Sequence, residues 1–260
     1  MGRTATVNYH VHKDERQAFE LDAGGIVGNL IWPEIAQTTI DVADARDPEV
    51  CVSFATDAVE FLSYPSRIAD FGDHREWETP YNAELKRLLT QRLGAAEVVV
   101  FDHTVRIDDP SATRKPARNV HSDYSEAGAR QRLVDLLGAE KAKAWGEGHY
   151  AFINVWRPVE KPINSSPLGF VRPASVAQRD WVVLDLIYPD RTGQILGLVG
   201  TPRHEWIYRS RMTPDDVAMF NIYDNRGLPS IAHSALDMTE DESVNTVRKS
   251  IESRTLVRYQ

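Results

Sequence analysis

The stretch that decides the fold runs from Tyr150 to Val199 and reads YAFINVWRPVEKPINSSPLGFVRPASVAQRDWVVLDLIYPDRTGQILGLV. Three short runs in it, Tyr150–Trp156, Trp181–Tyr188 and Ile195–Val199, are rich in valine, isoleucine and aromatic residues and are separated by turn residues. This composition is typical of β-strands. No long helical pattern lies between these runs, whereas a parallel doubly wound sheet needs a crossover helix after each strand. The stretch therefore predicts antiparallel strands.

Outside this stretch, strand-like and helix-like segments lie on both sides. The other predicted strands are Val7–His12, Val98–Val105, Glu205–Arg209, Pro229–Leu236 and Leu256–Tyr259. The predicted helices are residues 79–94, residues 125–137 with a continuation toward 145, a short helix after Thr213-Pro214, and residues 239–251, which open on the capping box Thr239-x-x-Glu242. The sequence thus predicts a mainly β protein with flanking helices and a sandwich or barrel core.

Composition and charge limit the function classes. The chain has 260 residues, 42% of them hydrophobic, and 30 basic against 38 acidic residues give a net charge of −8. An acidic protein lacks the clustered lysine and arginine that nucleic acids or anionic membranes require. The single cysteine, Cys51, allows neither an internal disulfide nor a thiolate metal cluster. With no linker, signal peptide or membrane span in view, we expect one cytoplasmic domain over residues 1–260.

The first chemical motif is His121-Ser122-Asp123. In an extended segment, residues two apart point to the same side, so His121 and Asp123 can converge on one metal ion. An imidazole and a carboxylate are two of the three ligands of the facial triad that binds non-haem Fe(II). The third should be a histidine on a later strand. We predict His204 for this role, with His233 as the alternative.

Three polar side chains near apolar strands are candidates for binding a co-substrate. Asn154 lies in the middle of an apolar strand, where its amide needs a partner or a cavity. Arg157 follows at the end of the same strand, and Arg226 lies 22 residues after His204. A partly buried guanidinium is the natural bidentate partner of a carboxylate.

Several segments together resemble a known family, the hydroxylase/desaturase family of secondary metabolism, which includes fungal aspergillic-acid-type hydroxylases, a gibberellin desaturase and the cephamycin 7-methoxylation protein. They cover the chain from about residue 40 to its end in the family's order. The matching segments are Asp41–Arg46, Val100–Arg106, Asn119–Tyr124, Ile153–Pro158 with Pro167-Leu168, His204–Tyr208 with Met212, Phe220–Asp224 and Arg248–Arg254.

The resemblance implies a non-haem Fe(II) oxygenase that uses 2-oxoglutarate and O2 and has a double-stranded β-helix (jelly-roll or cupin-like) core. It implies a core over about residues 98–260 behind an N-terminal extension, residues 1–97. His121, Asp123 and His204 match the iron ligands, and no catalytic residue beyond them is expected. Arg226, with Arg157 in reserve, would hold the distal carboxylate of 2-oxoglutarate beside Asn154. The substrate pocket is expected at Tyr124, Trp156 and Trp206.

The resemblance implies hydroxylation, desaturation or oxidative cyclisation of a small biosynthetic molecule, as in antibiotic biosynthesis. Two alternatives remain open from the residues. A cupin-type isomerase or hydrolase would use the same ligands with water on the metal, and an accessory protein would bind no iron. A homodimer or a complex with a partner biosynthetic enzyme is also left open.

Overall fold

The fold is built mainly from β-strands. The computed structural model describes residues 3–20, 33–72, 74–190 and 192–260. Its strands are β1 (Arg3–His10), β2 (Gln17–Glu20), β3 (Ile35–Asp44), β4 (Val59–Ser63), β5 (Glu97–Ile107), β6 (His121–Ser122), β7 (Tyr150–Pro158), β8 (Leu168–Val171), β9 (Trp181–Ile187), β10 (Thr192–Leu198), β11 (Trp206–Tyr208), β12 (Asp216–Asp224), β13 (Ala232–Ala235) and β14 (Lys249–Arg258). Its α-helices are α1 (Phe54–Asp57), α2 (Glu78–Leu93), α3 (Glu126–Leu137) and α4 (Ala139–Glu147).

The strands form two sheets. The larger sheet has nine strands in the order β1-β3-β11-β8-β13-β6-β10-β9-β2, and the smaller has five in the order β4-β12-β7-β14-β5. Antiparallel pairing dominates, although β11 pairs with β3, and β2 with β9, in parallel. This curled two-sheet arrangement confirms the prediction of a mainly β protein with a jelly-roll core and flanking helices. The N-terminal strands β1 to β4 take part in both sheets.

Two apolar layers surround the smaller sheet. Phe152 and Trp156 of β7 face the larger sheet and pack with Phe170 of β8. The alternate residues of β7, including Ile153, face the other way, onto α2. Strand β7 is therefore buried along its whole length, which explains why its sequence is a nearly continuous apolar run.

Helices α2 and α3 confirm two of the helix predictions. Gly138 ends α3, and the predicted continuation toward residue 145 is a separate helix, α4. The other two helix predictions are wrong. The segment after Thr213-Pro214 forms β12, and Ile251, placed in a helix over residues 239–251, lies in β14. Ile251 pairs there with Val105 on one side and Arg157 on the other, so sheet pairing overrides the local helical spacing.

Candidate metal and 2-oxoglutarate site

Three side chains with metal-binding atoms meet between the two sheets. One ligand atom each from His121, Asp123 and His233 lies within 4.8 Å of the others. His121 Nε2 is 3.5 Å from Asp123 Oδ1, and the two imidazole rings have centroids 4.5 Å apart. Two imidazoles and a carboxylate are the donor set of the Fe(II) facial triad. The donor set and its spacing thus fit the metal that the sequence predicts.

The larger sheet brings these residues together. Strand β6 lies between β13 and β10, and His233 is the direct cross-strand partner of His121. Directly opposed residues in an antiparallel pair point to the same face of the sheet. Asp123 follows β6 at once and lies two residues after His121, so its carboxylate turns toward the same point.

Hydrogen bonds orient both imidazoles. His121 Nδ1 donates to the carbonyl oxygen of Asn119 at 2.8 Å, and His233 Nδ1 donates to that of Ile231 at 3.4 Å. Each Nε2 is then left with its lone pair directed into the cluster. Burial, followed by the charge of His121, lowers the pKa of His233 to about 3. His233 is therefore neutral at neutral pH, which is the form that binds a metal.

The carboxylate of Asp123 is ionised and held by two donors. Asn154 Nδ2 donates to Asp123 Oδ2 at 2.8 Å, and Arg254 Nε donates to the same oxygen at 3.1 Å. Burial by itself would raise the pKa of Asp123. The positive charge of Arg254 is the main cause that outweighs burial and holds that pKa well below its usual range.

The structure does not place His204 at this cluster, so the prediction of His204 as the third ligand is wrong. Its Nδ1 lies 3.0 Å from the Tyr9 hydroxyl and its Nε2 lies 3.4 Å from Asp180 Oδ2. Both ring nitrogens are thus engaged in a buried network, and the His204 side chain is only 1% exposed. His233, the alternative from the sequence, occupies the third position.

The two arginines predicted to hold 2-oxoglutarate also lie elsewhere. Arg226 is exposed in the turn after β12, where its guanidinium donates to the carbonyl oxygen of Glu147 at 3.1 Å. Arg157 is buried on the α2 side of β7, where it donates to the carbonyl oxygens of Tyr64 and Pro214. Because side chains alternate along a strand, Arg157 faces away from Asp123, with which Asn154 forms a hydrogen bond. The predictions of Arg226 and Arg157 as anchors are corrected on this geometry.

Arg248 is one of the arginines that the structure brings close to His121 and His233. A small cavity between the sheets is lined by Arg106, His121, Trp156, His233, Arg248 and Glu252. Within the described part of the chain, Arg248 Nε and Nη1 and the nearby Ser250 Oγ are buried without a hydrogen-bond partner. An unpaired buried donor costs about 1–3 kcal/mol, and more when it is charged. These atoms therefore fit an absent anionic group such as the carboxylate of 2-oxoglutarate.

The electrostatics around Arg248 agree with this fit. Burial, followed by the charge of Arg106, lowers the pKa of Arg248 to about 9. The guanidinium still carries its charge at neutral pH, and the charges of Asp108 and Glu252 only partly offset the two causes that lower its pKa. A signal for Arg248 was present in the sequence. Arg248-Lys249-Ser250 has the same two-residue spacing as His121 and Asp123, which places Arg248 and Ser250 on one face of a strand.

The predicted pocket residues divide between site and core. A cleft of about 1550 Å³ opens beside the group formed by His121, Asp123 and His233, and Tyr124 lines it together with His121 and Asp123. Trp156 lines the smaller cavity. Trp206, by contrast, packs in the apolar cluster that contains Tyr9, whereas its neighbour Ile207 packs in the cluster that contains Phe152 and Trp156. The indole N–H of Trp206 donates to the Tyr9 hydroxyl at 2.8 Å. The prediction of Trp206 as a pocket wall is therefore wrong.

Across residues 3–20, 33–72, 74–190 and 192–260, the helices are too short or too polar to cross a membrane.

Comparisons with known proteins agree with the geometry. A family model described as "Oxidoreductase/YMDC permease-like domain" matches residues 7–258. The chain is 29% identical to "Hydroxylase/desaturase efuI" of Hormonema carpetanum, over 90% of this chain and 87% of the relative. It is 27% identical to "Alpha-ketoglutarate-dependent dioxygenase phiK" of a fungal species, over 84% of this chain and 83% of the relative. It is 30% identical to "Oxidoreductase clz16" of Cochliobolus lunatus, over 69% of this chain and 68% of the relative.

A solved structure supports the fold. The "iron and alpha-ketoglutarate-dependent endoperoxidase NvfI" superposes with a TM-score of 0.82 over 99% of this chain and 98% of that protein, at 21% identity. The chain therefore belongs to the oxidoreductase family that the model describes, and it is an Fe(II)/2-oxoglutarate-dependent dioxygenase of the hydroxylase/desaturase type.

Proposed function

We propose that His121, Asp123 and His233 hold one Fe(II) ion, and that this site oxidises a small molecule of secondary metabolism bound in the adjacent cleft. The observation that carries the proposal is the meeting of these three ligand atoms within 4.8 Å. When bound, Fe(II) with 2-oxoglutarate and O2 supplies the oxidation of a C–H bond, coupled to the decarboxylation of 2-oxoglutarate to succinate.

The protein's own part is to bind and orient. Arg248 would pair with the distal carboxylate of 2-oxoglutarate, and the Ser250 hydroxyl would donate to it. Arg248 directly precedes β14 and Ser250 lies in it, and Arg248 lines the small cavity together with His121 and His233. Taking a carboxylate out of water is favourable only beside a cation with matching donors, and the guanidinium of Arg248 supplies both.

The substrate is proposed to bind in the cleft beside Asp123. Its wall includes the aromatic rings of Phe101 and Tyr124, and Arg132 lies over the Phe101 ring at 5.0 Å. The cleft is larger than 2-oxoglutarate requires, which favours a substrate with several rings or a long chain. Hydroxylation, desaturation and cyclisation all agree with this site.

The proposal extends to the domain, the location and the assembly of the protein. We propose that residues 1–260 form a single oxygenase domain, which is supported by a family match over residues 7–258. We also propose that the protein acts in the cytoplasm. A homodimer or a complex with a partner enzyme would be recognised by the mass of the purified protein in solution.

Metal binding and turnover test the function. Metal-free protein is titrated anaerobically with Fe(II) and 2-oxoglutarate, and the charge-transfer band of the chelate is followed in the visible spectrum. Succinate is then measured after O2 is admitted. We expect His233→Ala to abolish the band and succinate formation, because one of three ligands is lost, and His204→Ala to keep both. Circular dichroism establishes that each variant is folded. Loss of iron from His204→Ala, with iron retained by His233→Ala, would contradict the assignment.

A further inference from the structure

The two side chains that hold Asp123 do more than stabilise its charge. We propose that Asn154 and Arg254 are positioning residues that force Asp123 to bind the metal through Oδ1 alone, and so keep three coordination positions open. This inference rests on the proposed metal site at His121, Asp123 and His233.

The two oxygens of Asp123 have different surroundings. Oδ2 accepts hydrogen bonds from Asn154 Nδ2 at 2.8 Å and from Arg254 Nε at 3.1 Å. Oδ1 is the oxygen that lies 3.5 Å from His121 Nε2, on the side of the other ligands. A carboxylate oxygen that already accepts two hydrogen bonds, one of them from a cation, is a poor ligand for a second cation. The metal is therefore left with Oδ1.

The register of the smaller sheet builds this pair of donors. Asn154 on β7 and Arg254 on β14 are direct cross-strand partners. Directly opposed side chains of an antiparallel pair lie on one face, about 4.5–5.5 Å apart at Cβ. The two donors thus approach one oxygen from neighbouring strands, while Asp123 reaches it from the opposite sheet.

The guanidinium of Arg254 is itself fixed. Its Nη1 donates to Asp102 Oδ2 at 2.6 Å and to Thr104 Oγ1 at 3.3 Å, and its Nη2 lies 2.6 Å from Glu252 Oε1. With both terminal nitrogens held in this way, Nε is the nitrogen that faces Asp123. Asn154 is 2% exposed within a strand that is buried on both faces, so its amide is equally restricted.

Counting coordination positions gives the consequence. An octahedral Fe(II) site offers six positions, and two histidines with one carboxylate oxygen leave three of them open. The co-substrate, as a chelate through two oxygens, and O2 together need three positions. If Asp123 bound through both oxygens, only two would remain. The Asn154–Arg254 pair would then decide whether both reactants fit on the metal at once.

Crystals of the protein loaded with Mn(II) and 2-oxoglutarate test this directly, because Mn(II) binds the same ligand types without oxidative turnover. In the wild type we expect Oδ1 within bonding distance of Mn(II) and Oδ2 outside it. In Asn154→Leu, which removes the donor and keeps the same number and branching of heavy atoms, we expect Oδ2 to move onto the metal. We also expect the dissociation constant of 2-oxoglutarate, measured by calorimetry with Mn(II), to rise about tenfold or more.

Two further variants complete the test. Asn82→Leu removes an amide of α2 whose Oδ1 lies 2.8 Å from His103 Nε2, away from Asp123, and should change neither the metal distances nor the affinity for 2-oxoglutarate. Arg254→Lys keeps a cation beside Asp102 and removes Nε. It should act like Asn154→Leu, and it replaces that variant if Asn154→Leu does not fold.

The outcomes separate this inference from the proposed function. Mn(II) bound by both oxygens of Asp123 in the wild type would overturn the inference and leave the metal site intact. An unchanged single Mn–O contact in both Asn154→Leu and Arg254→Lys, with unchanged 2-oxoglutarate affinity, would do the same. Wild-type crystals without Mn(II) at the three ligands would overturn the proposed site, and the inference with it.

Discussion

At the scale of a single residue, Arg248 is the proposed partner of the 2-oxoglutarate carboxylate. Its guanidinium is buried, and Nε and Nη1 lack a partner within the residues described. Losing the cationic partner of a desolvated carboxylate costs about 3–5 kcal/mol, which corresponds to roughly two to three and a half decades of affinity. We expect Arg248→Met to raise the dissociation constant of 2-oxoglutarate by two orders of magnitude or more, measured by anaerobic titration, with iron content unchanged.

The control for Arg248 is the arginine that the sequence favoured. Arg226→Met makes the same chemical change at an exposed turn, and we expect it to leave 2-oxoglutarate binding as in the wild type. The reverse result, a loss of affinity in Arg226→Met alone, would show that the anchor is not Arg248.

At the scale of residues, the sequence predicted the contacts that depend on the spacing of residues close together in the chain. His121 and Asp123 are two residues apart on an extended segment, and the structure brings them together. The third ligand depends on which distant strand pairs with β6, and that information is not local. His204 lies just before β11 and His233 lies in β13, yet of these two only His233 is the cross-strand partner of His121. For the same reason, the sequence alone did not show that Arg248 rather than Arg226 lies near the site.

At the scale of elements, α3 is anchored tightly on β10. Ser125 caps the helix by accepting from the backbone N–H of Gly128 at 3.0 Å and also donates to the Gln194 side chain. A Cβ on Gly128 would lie 2.6 Å from the Gln194 carbonyl oxygen. Helix propensity would gain about 1 kcal/mol from alanine, but overpacking against backbone costs about 1–3 kcal/mol. We expect Gly128→Ala to lower the free energy of unfolding, measured in urea.

A second glycine provides the matched control. Gly146 lies in α4, and a Cβ there would meet no atom within 4 Å. Gly146→Ala should therefore be neutral or stabilising by up to about 1 kcal/mol. Because Asp123 lies just before α3, the Gly128→Ala protein should also bind Mn(II) more weakly. Equal stabilisation by both alanines would refute the close contact at Gly128.

Element prediction succeeded where the pattern was long and failed where it was short. Helix α2 combines a long apolar face with a terminal glycine, Gly94, and its bounds agree with the prediction to within one residue. Residues 239–251 offered only three apolar positions at helical spacing. The end of that segment became β14, because pairing with β5 and β7 buries Ile251 on both sides.

At the scale of the whole molecule, the site lies between two sheets whose ligands come from distant parts of the chain. Burial needed for the site also encloses histidines and lowers their pKa. His10 of β1 is 1% exposed, and Asn119 Nδ2 donates to its Nε2 at 3.4 Å. Burial, followed by the charge of His121, lowers the pKa of His10 to about 4. His10 and His233 are thus buried histidines that stay neutral in the folded state at neutral pH.

These histidines make the metal-free protein acid-sensitive. In the unfolded chain a histidine takes up a proton near pH 6.5, whereas folded His10 stays neutral until about pH 4. Between these values the unfolded state binds more protons, so stability falls as the pH falls. From pH 7 to pH 5 this amounts to about 2 kcal/mol for His10, since 1.5 pH units correspond to about 1.36 kcal/mol each. We expect the free energy of unfolding of His10→Leu, measured in urea, to fall by about 2 kcal/mol less than that of the wild type between pH 7 and pH 5.

His12→Leu is the control, because His12 is an exposed histidine on the same segment. Its free energy of unfolding should fall by as much as that of the wild type over this range. If His10→Leu also loses as much as the wild type, His10 is not the buried neutral group that the structure shows.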